Sequence, residues 1–199
     1  MPAFQSSVLK HVLRLLEAPN GPVLEDFPVD APDMKDQPEQ VACPVNFNLK
    51  KENLSSTESL LDSFAAEFSQ IKTWYDVALS KNKRTTTGVS GLSPEDALEF
   101  ISSFVRAETD EKKLKETKVS DMLRMIAEDI KAFYFEGVSA QPGQPTDSKT
   151  LGDWFWGETY AARVINEVRK ISLKDGSKEM GLLGTLLLVP RSQMHRFKD

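Results

Sequence analysis

Apolar residues recur at three- and four-residue steps through most of this chain, the spacing of helices that each bury one face. Val119, Met122, Leu123, Ile126, Ile130, Phe133 and Tyr134 form one such stripe, and Gly137 stands where a helix C-terminus favours a residue free to turn left-handed. After a Pro/Gly loop, Leu151, Trp154, Phe155, Ala161, Ala162, Ile165 and Val168 carry a second stripe, so the segment from Val119 to Leu173 reads as a helical hairpin. Upstream, Ser55 and Glu58 match a Ser-x-x-Glu capping box, and Leu61, Phe64, Ala65, Phe68, Ile71, Tyr75 and Leu79 continue it as a long helix. Ser93-Pro94-Glu95-Asp96 supplies an N-cap, a first-turn proline and two acids, which start a helix carrying Leu98, Ile101 and Val105. Phe4, Val8, Val12, Leu15 and Leu16 predict an amphipathic helix at the N-terminus. Met180 to Val189 is nearly all apolar and stops at Pro190, which predicts a buried closing helix or part of a subunit interface.

These elements add up to an all-α fold, a bundle of about six helices with the N-terminal helix and an irregular arm outside it. The arm runs from Pro19 to Pro44 and holds six of the chain's eleven prolines, each fixing its own backbone angle and biasing its predecessor toward extended forms. Val41 to Phe47 is expected to pair briefly as a strand. The organisation that follows is 1–50 as helix and acidic arm, 51–190 as bundle and 191–199 as a loose polar tail. Ser80 to Gly91, rich in Lys, Thr and Gly, is expected to be an exposed, flexible crossover.

The return stripe contains one anomaly. Glu158 stands seven residues after Leu151 and seven before Ile165, so an unbroken helix would bury its carboxylate, at a cost of several kcal/mol unless it is paired or protonated. In an antiparallel hairpin its depth points at Asp129, which lies on the rim of the outgoing helix together with Glu136. Lys72, just off the centre of the long helix's stripe, and Arg163 are the cations placed to neutralise it. Gly157 and Ala161 would let another backbone come close.

Composition removes several function classes. A net charge of -5, from 25 basic and 30 acidic residues, argues against a nucleic-acid partner, which needs concentrated basic surface. Cys43 is the one cysteine, which suits a reducing, cytoplasmic setting, and no apolar run is long enough for a membrane span. With two histidines, no paired-cysteine site and no phosphate-binding loop or nucleophile elbow, neither a metal nor a cofactor is expected.

Two functions remain. One is a non-catalytic interaction or assembly protein, a homodimer, in which the rings are core and the carboxylates are satisfied within the fold. The other starts from seven of the seventeen aromatic residues falling between Phe133 and Tyr160. In that reading Phe133, Tyr134, Trp154, Phe155 and Lys72 line a pocket for a small apolar or aromatic ligand, and Glu158 and Asp129 act as general acid and base with one pKa raised.

Overall fold

The computed structural model describes residues 2–30, 56–108, 118–142 and 147–197. It is all-α, with α1 (Pro2–Arg14), α2 (Thr57–Asn82), α3 (Pro94–Val105), α4 (Val119–Ser139), α5 (Ser148–Glu158), α6 (Tyr160–Asp175) and α7 (Lys178–Leu182). A 3-10 turn extends α1 over Leu15–Glu17, a wide π turn follows α7 over Leu183–Leu187, and a 3-10 segment runs from Arg191 to Phe197. Among the described residues there is no strand, and no helix is long and apolar enough to cross a membrane. The expected pairing at Val41 to Phe47 lies outside the described residues.

The chain forms two compact units, Met1–Val41 and Ala42–Asp199. In the first, Phe27 meets one side of α1, edge-on to Phe4 at 5.8 Å and to His11 at 5.3 Å. Glu25 comes within 3.7 Å of the His11 ring. Leu9, Val12, Leu13 and Leu16 lie on another face and are exposed.

The second unit holds the core. α2 crosses α4 and α6, while α3 packs on α4 and α6. Phe64, Ile71, Leu123, Ile126, Phe133, Tyr134, Phe155 and Ile165 are essentially inaccessible. Caps fix the helix starts: Ser56 accepts from the Ser59 amide, Ser93 from Asp96, Asp147 from Thr150 and Thr159 from Ala162. The cap of α2 is thus Ser56 rather than Ser55, and Glu58 instead meets Arg106 at 3.1 Å.

Four expectations are revised. Gly137 does not end α4; it lies buried inside the helix, where α2 comes so close that a Cβ would stand 2.7 Å from Ile71 Cγ2 and 3.1 Å from its carbonyl oxygen. The return helix is broken: Thr159 is extended (φ -92, ψ 150), closing α5 and capping α6. The closing segment buries Met180, Leu183, Leu188 and Val189 but leaves Leu182, Leu186 and Leu187 half in solvent. The polar C-terminal residues are not loose as far as Phe197, since that ring meets Trp156 edge-on at 6.1 Å and Arg196 reaches Asp153 at 3.1 Å.

Candidate functional site

The break at Thr159 changes which carboxylate is buried. Ending α5 at Glu158 resets the helical phase, so Glu158 is exposed at the helix end instead of lying in the stripe that continues beyond it. The expected burial of Glu158, and its meeting with Asp129 or with Lys72, therefore do not occur. Lys72 is a surface residue 2.8 Å from Glu95 and 3.5 Å from Asp76. Arg163 lies over the ring of Tyr160, 5.3 Å from its centre.

The buried acid is Glu67 of α2, only 3% exposed. Its Oε1 accepts from the Tyr134 hydroxyl at 2.8 Å, the Tyr160 amide at 3.0 Å and the Ala161 amide at 3.1 Å; its Oε2 shares the Tyr160 amide at 3.0 Å. These amides open α6 and lack partners inside the helix, and the positive end of the helix dipole favours a negative group there. Burial nonetheless outweighs these donors and the field of Arg163, pushing the Glu67 carboxyl up to about 7. Tyr134 is driven well above its ordinary value, first by burial and then by the neighbouring carboxylate.

A second set of carboxylates organises the loop before α3. Asp129 is 4% exposed and accepts from the amides of Gly88 (2.8 Å), Val89 (2.9 Å) and Ser90 (2.9 Å), and from the Ser90 hydroxyl. Seven residues on, Glu136 accepts from the Thr86 amide at 2.6 Å, its hydroxyl at 2.7 Å and the Thr85 hydroxyl at 2.8 Å. Tyr75 contacts the Thr85 and Thr87 hydroxyls at 3.0 and 2.8 Å. The Thr/Gly loop is therefore stapled to α4 by two carboxylates and tied to α2 by a phenol, in place of the flexible crossover its composition suggests.

The aromatic residues named from the sequence do come together, but around one another. Phe133 stacks on Phe68 at 4.3 Å and tilts against Tyr75 at 4.7 Å, while Phe155 meets Tyr134 edge-on at 5.6 Å. Trp154 flanks the cluster, 6.3 Å from Tyr134. A groove of about 740 Å³ lies elsewhere, between α4, α5 and the chain from Pro190 to Gln193, with Phe135 and Trp156 among the residues that line it. None of Phe133, Tyr134, Trp154, Phe155, Lys72, Glu158, Asp129 or Glu67 lines it.

The charges along that groove are already matched. Lys131 pairs with Glu128 at 2.7 Å, and Asp153 takes Lys149 at 2.8 Å, Gln193 at 3.0 Å and Arg196 at 3.1 Å. Gln193, Lys149 and Arg196 hold the Asp153 carboxyl well below the usual carboxylate range. Among the described residues no three His, Cys, Asp or Glu side chains gather to hold a metal ion.

Sequence reasoning missed Glu67, although the signal was present. Glu67 lies three residues after Phe64 and four before Ile71, as central to its stripe as Glu158 is to the other. Comparison with protein-family models, curated proteins and solved structures finds no match to this chain.

Proposed function

We propose that this protein is a non-catalytic interaction protein that assembles with a second copy of itself through α1. The observation that carries this reading is the uncovered face of that helix. Leu9, Val12, Leu13 and Leu16 are 52 to 81% exposed and fall at the i, i+3, i+4, i+7 spacing of a helix packing seam. Seven of the fourteen exposed large apolar side chains among the described residues lie before Asp30. Fully burying a leucine or valine side chain contributes about 1.5–3 kcal/mol, so three leucines and a valine per copy supply a driving force for association. A two-fold partner presents the same stripe in return.

The carboxylates favour the same side of the choice. Glu67, Asp129 and Glu136 are each spent on internal donors, and the aromatic rings fill a core, so a ligand or acid-base site built from them has less support. Light scattering at micromolar concentration tests the proposal. A dimer is expected, and Leu9→Glu combined with Leu13→Glu is expected to give a monomer with an unchanged melt. A monomeric wild-type chain would overturn it.

A further inference from the structure

The apolar stripe of α1 has two unlike flanks. At about 100° per residue, Lys10 and Glu17 fall beside one edge of Leu9, Val12, Leu13 and Leu16, and both are exposed. Val8 and Leu15 fall beside the other edge and are half-buried, on the side where Phe27 meets Phe4 and His11. Arg14 stands farther round, away from the stripe. Charge at the margins of the stripe is therefore confined to one flank, a cation near its start and a carboxylate at its end. Among the described residues neither Lys10 nor Glu17 has an ion-pair partner, whereas Glu25 lies beside His11 on the covered side.

We propose, resting on the assembly through α1 argued above, that the two copies pack this helix antiparallel, and that Lys10 and Glu17 select the arrangement by each Lys10 meeting Glu17 of the second copy. Two-fold symmetry decides which flanks meet. When the helices run in opposite directions the axis lies across them and brings like flank to like flank; when they run parallel it lies along them and sets each flank against the other. Laid antiparallel about the middle of the stripe, Leu9 stands opposite Leu16 and Val12 opposite Leu13. Glu17 of the second copy then falls about two residues, or ~3 Å, along the axis from Lys10, and the pair forms twice. In the parallel case both charges lie against the flank of Val8 and Leu15, which offers neither of them an opposite charge.

Exposed ion pairs add little strength, so the apolar side chains drive association and the charges set its direction. A foreign helix with a similar stripe but without this order of base and acid along its margin fits less well, which makes the surface selective for a second copy.

Charge reversal is the first test. Lys10→Glu or Glu17→Lys alone turns two attractions into two repulsions and should raise the dimer Kd by about tenfold, read by sedimentation equilibrium of the full chain. The double variant, Lys10→Glu with Glu17→Lys, should return the Kd close to the wild-type value. Disulfide trapping is the second. In a Cys43→Ser background, proteins carrying Leu9→Cys and Leu16→Cys are oxidised separately and as an equal mixture, and the products are weighed by mass spectrometry. Antiparallel helices hold position 9 about seven residues, or ~10 Å, from its own counterpart, beyond the ~4.4–6.8 Å between Cα atoms that a disulfide spans. The mixture should therefore link one variant to the other, and neither should link to itself. Self-linked products, or single reversals that leave the Kd unchanged, overturn the antiparallel pairing while the dimer stands. A wild-type chain that stays monomeric at micromolar concentration overturns the assembly through α1 and this pairing with it.

Discussion

Asp129 is bound by three consecutive backbone amides and a serine hydroxyl, all from the loop that its own helix has to hold in place. Hydrogen bonds to a charged group contribute about 1.5–3 kcal/mol each, and removing the acceptor leaves the donors unmatched where water reaches them poorly. Asp129→Ala should therefore lower stability by about 3 kcal/mol or more. Glu158→Leu, at an exposed helix end, should stay within about 0.5 kcal/mol of wild type. Urea denaturation of the two variants checks both, and a cost below about 1 kcal/mol for Asp129→Ala would mean the loop is not held by that carboxylate. The contrast also shows what was readable. That a carboxylate sits inside a helical stripe is visible from spacing, as it is for Glu67, but whether the helix continues through it is not, and Thr159 interrupts the one at Glu158. Asp129 and Glu136 were legible as neighbours on one side of α4; their partners, backbone amides some forty to fifty residues earlier, leave no mark in side-chain pattern.

At the scale of elements, two helical glycines do different things. Gly137 lets α2 and α4 approach until backbone nearly meets backbone, while Gly157 leaves room for the guanidinium of Arg196, whose Nη1 would lie 2.5 Å from an added Cβ. Alanine is about 1 kcal/mol better than glycine inside a helix, so each Gly→Ala change begins with that gain. At Gly137 the new methyl meets the Ile71 side chain and carbonyl, and separating two core helices costs about 1–3 kcal/mol, for a net loss in stability. At Gly157 the obstacle is the mobile end of a long side chain, which can swing aside. Thermal melts should place Gly157→Ala at or above wild type and Gly137→Ala clearly below it; the opposite order would refute the close approach of α2 and α4. Sequence spacing located α2, α3, α4 and α6 because amphipathic periodicity and caps are local signals. Gly137 resembled a terminus because glycine serves both as a helix end and as a close-contact residue, and only the partner helix decides between them.

Across the whole molecule, the core and the proposed contact surface belong to different parts of the chain. Among the described residues, every buried residue of the hydrophobic core falls between Leu60 and Val189. The all-α class was readable from periodicity, whereas the docking of Arg191–Phe197 was not, since its anchors are single residues, Gln193, Arg196 and Phe197, without a repeat. The second unit, Ala42–Asp199, is expected to fold alone. Expressed without residues 1–41, it should keep a cooperative melt with its midpoint within a few degrees of the full chain, the scale of a change of about 1 kcal/mol in a domain of this size. It should also run as a monomer in light scattering, because the Leu9, Val12, Leu13 and Leu16 stripe has been removed with α1. A broad, non-cooperative melt would show that the N-terminal unit completes the core, and a dimer that survives the deletion would move the interface from α1 to the bundle, with the exposed Leu182, Leu186 and Leu187 as the surface to test next.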